Sequence, residues 1–459
     1  MERVNAWTTY SPEQEAELMH KAEAYKAFLN AGKTERECVK EAIRLAEEKG
    51  FTCLCKKETL VPGDRVYVNT MGKALQLYII GKAPLEQGIN IVGAHIDSPR
   101  MDLKQNPLYE DTDLVYLDTH YYGGIKKYQW VTIPLALHGV IAKKDGTVTE
   151  MVIGEEESDP VVGISDLLIH LAGDQMGKKA SVVIEGEELN LIVGGRPMKD
   201  LPEGEKEPCK ALILQLLKEK YGMEEEDFLS AEIEVVPAGK ARDMGLDRSM
   251  ILGYGHDDRV CAYASLDAIL SIEGVPETTC CCVLADKEEI GSVGATGMQA
   301  RYFENAMAEI MDRAGEYSEL KLRRALARCR MLSCDVSAGY DPNFAGCFEK
   351  KNSAFLGRGV CFNKYTGSRG KGGSNDANAE YIGRLRDLFD RNNVHYQTAE
   401  LGKVDQGGGG TIAYICALYG MEVIDSGVAV LSMHAPLEII NKADLYEAMR
   451  AYRTFMLEA

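Results

Sequence analysis

The stretch TCCCVLADKEEIGS, residues 279–292, decides the fold class of this chain. An apolar run of this length, followed by charged residues and a glycine, is typical of a buried β-strand that ends in a polar loop. The loop carries two adjacent carboxylates, Glu288 and Glu289. They are either a solvated charge pair or two groups with separate chemical roles. Motifs elsewhere in the chain distinguish these two interpretations.

From residue 236 onward, segments with helical periodicity alternate with apolar, strand-like runs. Alternation of this kind favours a mostly parallel sheet covered by helices on both faces. The predicted strands besides the opening stretch are RCRMLSCDV, VHYQTA and MEVIDSG, and the predicted helices are DDRVCAYASLDAILS, ATGMQARYFENAMAEIM, NAEYIGRLRDLFDRN, one after GGGG, and KADLYEAMRAYRTFML.

The N-terminal part predicts two helices and three strands. Ser11 is placed as the N-cap of the first helix and a Thr34–Glu37 capping box opens the second. The strands RVYVNT, ALQLYIIG and INIVGA follow. We therefore expect residues 1–101 and 236–459 to form one discontinuous catalytic domain.

Between them, residues 102–235 predict an inserted domain rich in strands. A hairpin is expected around Lys144, Asp145 and Gly146, and short helices in ISDLLIHLAGDQM and CKALILQLLKEKYG.

Composition narrows the class of protein. A chain of 459 residues suggests two to three domains, and a formal charge of −19 without a basic stripe argues against nucleic acid and anionic membranes as partners. The N-terminus lacks a leader pattern and no apolar run is long enough to cross a bilayer, so we expect a cytoplasmic protein. The thirteen cysteines include no CxxC and are interpreted as buried thiols in a reducing compartment.

Five strand ends deliver groups that can bind a metal or move a proton. Ligands of open α/β sheets collect at the carboxyl ends of strands. Imidazole nitrogens and carboxylate oxygens without thiolate suit zinc in a hydrolytic site, and manganese and cobalt fit the same ligands. The candidates are His95 and Asp97 in GAHID, Asp257 in HDD, Glu288 and Glu289 in DKEE, Asp335 in SCDVS, and His434 in MHAP.

The number of ligands predicts two metal ions. We expect His95 and Asp335 on one ion, Glu289 and His434 on the other, and Asp257 as the bridge. Glu288, next to a ligand, is the predicted general base for a metal-bridged water. Asp97, two residues from His95 on the same side of a strand, is predicted to fix the imidazole tautomer.

The motifs GAHIDSPR, HDD, DKEEIGS, SCDVSAGYDP and MHAP resemble, in order, the metal-site motifs of the aspartyl aminopeptidase and vacuolar aminopeptidase I family of di-zinc exopeptidases. The resemblance spans nearly the whole chain. It implies a three-layer α/β/α catalytic domain of the phosphorylase/peptidase type with an inserted dimerisation domain. It further implies peptide substrates with a free N-terminus, an assembly of twelve subunits, and a histidine, matched here by His170, that reaches a neighbouring subunit's active site.

The motifs determine the preferred N-terminal side chain of the substrate less well than they determine the metal ligands. Lys364 is the nearest candidate to face an acidic side chain, within CFNKYTGSRGKGGSNDAN, and VDQGGGGTIA is the other segment expected near the substrate. We expect a preference for N-terminal Asp or Glu, with a broad or neutral preference as the alternative.

Other functions stay open at this point. One is a related co-catalytic metallohydrolase, such as a carboxypeptidase or deacylase, and another is a catalytically silent assembly protein. The run Gly407–Gly410 lacks the Gly-Lys-Ser/Thr ending of a P-loop, so we expect a tight turn instead of a nucleotide site, and whether this turn lines the substrate stays open. A serine or cysteine hydrolase is not expected, because no Gly-x-Ser-x-Gly elbow occurs.

Overall fold

The computed structural model of the chain describes residues 4–201, 204, 206–367 and 369–459. Its helices are α1 (Pro12–Ala31), α2 (Glu35–Glu48), α3 (Gly173–Met176), α4 (Pro208–Tyr221), α5 (His256–Leu270), α6 (Tyr302–Arg313), α7 (Glu319–Arg328), α8 (Ala379–Arg391), α9 (Ala413–Ala417) and α10 (Lys442–Glu458).

The strands fall into three sheets. They are β1 (Thr52–Cys53), β2 (Arg65–Thr70), β3 (Ala74–Ile79), β4 (Asn90–His95), β5 (Arg100–Asp111), β6 (Leu114–Tyr122), β7 (Leu135–Ala142), β8 (Val148–Ile153), β9 (Leu191–Gly194), β10 (Ala231–Pro237), β11 (Arg242–Met244), β12 (Met250–Gly253), β13 (Cys280–Ala285), β14 (Arg330–Ser333), β15 (Ser337–Ala338), β16 (Val360–Asn363), β17 (Tyr396–Thr398), β18 (Glu422–Gly427), β19 (Ala429–Leu431) and β20 (Glu438–Asn441).

The chain folds into two compact units. The first comprises Met1–Ser98, Ala241–Met433 and Glu438–Ala459, and the second comprises Pro99–Lys240 with the short segment His434–Leu437.

The first unit is built on a nine-stranded sheet with the order β1-β2-β3-β13-β4-β14-β18-β16-β17. The central strands β13, β4, β14 and β18 run parallel to their neighbours within that group. Strands buried on both faces need apolar residues throughout, which explains the unbroken apolar run of β13. The predicted α/β fold with a mostly parallel core is confirmed.

Helices cover both faces of this sheet, and a separate apolar core lies between the sheet and the helices on each face. One core includes Phe28 of α1 and Phe455 of α10, and the other includes Phe303 of α6 and Leu322 of α7. Burying side chains of this size stabilises the fold by about 1.5–3 kcal/mol each. Among the described residues, no helix has both the length and the apolar character needed to cross a membrane.

The predicted helix starts in the N-terminal part are confirmed. The Ser11 hydroxyl accepts a hydrogen bond from the Gln14 N–H at 3.3 Å, and the Gln14 side chain accepts one from the Ser11 N–H at 3.0 Å. Thr34 and Glu37 form the same reciprocal pair at the start of α2. Each box satisfies backbone donors that a helix start would otherwise leave unpaired.

The second unit contains a six-stranded sheet with the order β8-β7-β10-β5-β6-β9, in which neighbouring strands run antiparallel. The hairpin predicted around Lys144–Gly146 is confirmed as the β7–β8 connection, with Gly146 at a φ of 88°. Such a left-handed turn residue favours glycine.

The helix predicted in ISDLLIHLAGDQM is wrong over most of its length. Residues 164–168 have no helical structure, residues 169–171 form a turn, and only α3 follows. Four apolar side chains of this segment, Leu167, Leu168, Ile169 and Leu171, are 47–69% exposed. The pattern matched a helical period, but a helix of this length needs a packed apolar face to be stable.

The cysteines depart from prediction at one pair. Cys53 and Cys55 form a disulfide, whereas the sequence predicts a thiol at every cysteine. Of the remaining cysteines, Cys347 is exposed and the other ten are buried, as predicted.

Candidate active site

The carboxyl ends of three neighbouring strands bring the candidate groups together in the first unit. Strand β4 ends at His95, and its parallel neighbour β13 pairs Ala285 with His95. The short 3-10 turn Glu288–Ile290 follows β13, and Asp335 lies two residues beyond β14 on the other side of β4. Because the strands are in register, their polar continuations emerge at one edge of the sheet.

The imidazole of His95 lies at the centre of this group and is 2% exposed. Its Nε2 is 3.3 Å from Oδ1 of Asp257, 3.9 Å from Oε2 of Glu288 and 4.0 Å from Oδ1 of Asp335. One ligand atom each of His95, Asp257 and Asp335 lies within 4.8 Å of the other two. This spacing lets three side chains from separate strands and a helix reach one common ion.

Asp97 connects the histidine to the two glutamates. Its Oδ1 is 3.3 Å from Nδ1 of His95, and its backbone oxygen is 3.0 Å from the same nitrogen. Its two carboxylate oxygens also accept hydrogen bonds from the N–H groups of Glu288 and Glu289, each at 3.2 Å. Asp97 therefore directs Nε2 of His95 toward the other acids and holds the turn that presents the glutamate pair.

Asp257 is fixed at the start of α5 by its backbone. Its N–H donates to Oε2 of Glu438 at 2.9 Å, and its carbonyl accepts from the Ser98 hydroxyl at 2.7 Å. Carboxylate oxygens of Asp257 and Glu289 lie within 4.8 Å of each other. Asp257 is thus close to both His95 and Glu289, as a bridging ligand requires. Sequence reasoning missed Glu438, which lies at the start of β20 and is 1% exposed.

The electrostatics of this group favour a cation. Burial opposes a positive imidazole, but hydrogen bonds with Asp257 and Asp97 hold the pKa of His95 well above its usual value. Burial and then the charge of Asp258 raise the pKa of Asp335 well above its usual range. Several carboxyl groups in one buried place repel each other when ionised. A divalent cation would remove this repulsion, and the nitrogen and oxygen donors fit zinc, manganese or cobalt.

His434 lies three residues beyond β19, in the segment His434–Leu437 that groups with the second unit. Its Nδ1 is 2.8 Å from the carbonyl oxygen of Gly124. A carbonyl oxygen can only accept a hydrogen bond, so Nδ1 of His434 is the donor and Nε2 carries the lone pair that a metal needs. Its chain neighbour Met433 and Glu438, the acceptor for Asp257, both belong to the first unit. The role of His434 as a ligand stays a prediction.

His170 belongs to the second unit and lies in the exposed turn of residues 169–171. It is on a turn and not on the predicted amphipathic helix. An exposed imidazole there suits a role toward another molecule better than a packing role, and that role stays a prediction.

A further buried acid, Asp425, was missed by sequence reasoning. It lies on β18 opposite Ser333 of β14, is 2% exposed, and its Oδ1 accepts the Thr411 hydroxyl at 2.6 Å. Burial raises the pKa of Asp425 to about 7. The signal was present, because MEVIDSG places an acid near a strand's carboxyl end just as the other motifs do.

The chain is similar to proteins of one family along nearly its whole length. A family described as "Aminopeptidase I zinc metalloprotease (M18)" matches residues 28–456. The chain is 59% identical to a Clostridium acetobutylicum protein named "Probable M18 family aminopeptidase 1", over 98% of this chain and 97% of that one. It is similar to the crystal structure of an M18 aminopeptidase from Thermotoga maritima, with a TM-score of 0.95, 45% identity and full coverage of both chains. A dodecamer of the S. cerevisiae protein mApe1, 19% identical and covering 95% of each chain, has the same fold with a TM-score of 0.76.

Proposed function

The chain belongs to the M18 family of aminopeptidase I zinc metalloproteases and is an aminopeptidase, and we propose that it releases N-terminal Asp or Glu from peptides with Glu288 as general base. The observation that carries the mechanistic part is the group around His95, where three acids from distant segments lie within 4.0 Å of Nε2. Such a group is costly to bury without a function that uses it.

We propose that two divalent ions, zinc in the first instance, bind this site. His95 and Asp335 would hold one ion, Glu289 and His434 the other, and Asp257 would contact both. When bound, the ions would supply Lewis acidity for the scissile carbonyl and lower the pKa of a water. The close approach of Asp257 to His95 and to Glu289 supports this assignment.

In the proposed reaction Glu288 moves the proton. Its carboxylate accepts a proton from the water that attacks the scissile carbonyl carbon, and then gives that proton to the amine nitrogen that leaves. Glu288 is 15% exposed at its side chain, which leaves it accessible to a substrate. The hydrogen bond from its N–H to Asp97 sets the position of the turn that carries it.

Lys364 is relevant to the proposed acidic preference. Its side chain is 48% exposed and could face a substrate carboxylate, which supports the preference. However, its Nζ is 3.4 Å from Oδ1 of Asp376, so part of its charge is already compensated. This ion pair favours the alternative of a broad or neutral preference. Hydrolysis rates for 4-nitroanilides of Asp, Glu, Leu and Lys would decide between the two.

The rival functions are separated by blocking the substrate's amine. An aminopeptidase should cleave a free peptide and not the same peptide after N-acetylation, whereas a deacylase or carboxypeptidase would still act on the acetylated form. A silent assembly protein would cleave neither.

The role of Glu288 is tested by Glu288→Gln. The variant should keep the metal content of the wild type and lose about 10²–10⁴-fold in kcat, since the amide cannot accept a proton. Glu273→Gln changes an exposed glutamate outside the site and is the matched control. Wild-type turnover of Glu288→Gln would show that another group is the base.

We further propose a homo-oligomer, with the dodecamer as the expected form, in which residues 102–235 mediate dimerisation and His170 serves a neighbouring subunit's active site. The exposure of Leu168, Ile169 and Leu171 around this histidine supports an interface in this segment. His170→Ala should lower kcat without changing the mass of the assembly. A variant with wild-type kcat would contradict the proposal.

The cytoplasm is the proposed compartment. The ten buried thiols among the free cysteines support it, because free thiols persist in reducing compartments. Thiol titration of freshly isolated, unfolded enzyme should find all thirteen cysteines reduced or only the Cys53–Cys55 pair oxidised. Additional disulfides would argue for an oxidising compartment.

A further inference from the structure

The run of four glycines before α9 separates into two that the fold needs and two that it does not. A Cβ at Gly407 would collide with the carbonyl oxygen of Leu401. Gly408 has a φ of 120°, where other residues are strained. The fold of the chain itself therefore requires glycine at these two positions.

Gly409 and Gly410 have no such reason. Neither has a φ in the left-handed region, and a Cβ at either position would meet no atom within 4 Å. Alanine at such a site would stabilise the fold by about 0.4–1 kcal/mol, because it restricts the unfolded chain. The fold itself therefore does not explain glycine at these two positions, and their place in the chain has to be considered.

The turn lies beside the candidate active site. Thr411, directly after the glycines, is bound through its hydroxyl to Asp425 on β18. The next residue on β18, Ser426, accepts a hydrogen bond from the N–H of Asp335 at 3.3 Å. The turn and the candidate ligand Asp335 are thus joined to adjoining residues of the same strand.

The turn also lies at the border between the buried site and solvent. Gly408, Gly409 and Gly410 are exposed, whereas Thr411 is 8% exposed. The N–H of Gly409 donates to the carbonyl oxygen of Thr366 at 3.0 Å, whereas within the described parts of the chain the N–H groups of Gly408 and Gly410 donate no hydrogen bond. An extended peptide pairs with such exposed backbone groups, and a glycine α-carbon allows it to come close.

We propose that the main chain of Gly409 and Gly410 lines the path of the substrate's peptide chain beyond the scissile bond. The inference rests on the proposed function and adds a peptide-binding surface to it. The released residue has to be enclosed by the site, but the remaining chain can have any length and has to leave toward solvent. An exposed backbone turn next to the site suits the second part of the substrate.

The test compares Gly409→Ala and Gly410→Ala on two substrates. One is a tetrapeptide with a free N-terminus, and the other is the 4-nitroanilide of its first residue. We expect KM for the tetrapeptide to rise about tenfold with kcat unchanged, because the added methyl group occupies the substrate's path. The anilide, which has no peptide chain beyond the scissile bond, should keep KM within about twofold.

Gly383→Ala is the matched control. Gly383 is also exposed, has no left-handed φ and has nothing within 4 Å of its Cβ position, but it lies on α8. Both kinetic constants should stay at the wild-type level for both substrates.

Each other outcome overturns the inference. Unchanged tetrapeptide kinetics would show that the turn does not contact the substrate. Equal losses on both substrates would place the effect on the metal site, and equal losses with a smaller assembly would place a second copy of the chain against the turn. A variant that fails to fold, seen as a lost thermal transition, would show that the turn has no room for the added methyl group. A wild-type enzyme inactive on both substrates would refute the proposed function, whereas an active one with unaffected variants would refute this inference alone.

Discussion

Replacing Asp97 by asparagine is the most informative perturbation of the candidate site. Asp97 is 0% exposed, and its carboxylate contacts the His95 imidazole and the N–H groups of Glu288 and Glu289. The asparagine side chain keeps the shape but has one oxygen acceptor where the carboxylate has two. At least one of these three donors then faces an amide NH₂ group, which cannot accept a hydrogen bond.

The expected losses of stability, activity and metal affinity follow from these contacts. A buried donor that loses its acceptor costs about 1–3 kcal/mol of stability. Loss of the partner of a metal-ligating histidine lowers activity or metal affinity about 10–100-fold, which corresponds to about 1.4–2.7 kcal/mol. We therefore expect Asp97→Asn to lose 10–100-fold in kcat/KM, with weaker metal binding and a lower free energy of unfolding.

The assay combines peptide hydrolysis, metal titration by calorimetry and urea unfolding. Asp64→Asn is the control, because Asp64 also accepts a backbone N–H, from Val61 at 2.9 Å, but lies outside the site. The control should lose stability and keep kcat/KM. If Asp97→Asn bound metal normally and kept kcat/KM within twofold of the wild type, the proposed coupling of His95 to the glutamate turn would be wrong.

Three further predictions concern the metal and the buried acids. His434→Ala should retain one ion per chain where the wild type retains two, as counted by elemental analysis; two retained ions would remove His434 from the ligand set. Adding Zn²⁺ at 100 times its Kd to chelator-treated enzyme should raise the free energy of unfolding by about 2.7 kcal/mol, visible as a higher melting temperature, and an unchanged melting temperature would show that no folded site binds the ion. The pKa of Asp425 is raised by burial from 3.8 to about 7 in the folded state, so its stabilising contribution is full below pH 4 and is lost as pH rises through 7. Between pH 5 and pH 8 the stability of Asp425→Asn relative to the wild type should therefore increase by about 2–3 kcal/mol in urea unfolding, and a pH-independent difference would contradict the raised pKa.

Local signals predicted the elements that build the fold. The Ser11–Gln14 and Thr34–Glu37 boxes join residues three positions apart, so the sequence displays both partners together. The unbroken apolar run of β13 indicated a strand buried on both faces, and it lies in the interior of the nine-stranded sheet. These features depend on neighbours along the chain, which a single sequence contains in full.

The segment around His170 shows where this reasoning fails. Its apolar residues recur with a helical period, yet a period describes only which side chains share a face. Whether the helix forms depends on an apolar surface to cover that face, and Leu168, Ile169 and Leu171 remain exposed in this chain. The Cys53–Cys55 disulfide is not predicted for a different reason: the CxxC pattern has two residues between its cysteines, and this pair has one.

The candidate site required contacts that no local pattern contains. The rule that ligands collect at strand ends selected His95, Asp257, Glu288 and Asp335 separately, and the strand order then placed them around one imidazole. The same rule applied to MEVIDSG would have selected Asp425 as well. What it could not supply was the order of the strands, which puts β13 and β14 on either side of β4.

The groups that orient the site are the hardest to predict, because their partners are distant in sequence. The N–H of Glu288 reaches Asp97 across 191 residues, and the N–H of Asp257 reaches Glu438 across 181 residues. Both acceptors are buried carboxylates that bind backbone donors. Nothing in the sequence alone distinguishes these two residues from the other acidic residues of the chain. Only burial distinguishes them: a carboxylate at 0–1% exposure is tolerated when it is paired, and its pairing in turn fixes the backbone it contacts. The position of Glu288 and the position of Asp257 are therefore set by the fold of the first unit as a whole, and a substitution at either acceptor should affect catalysis without touching a ligand.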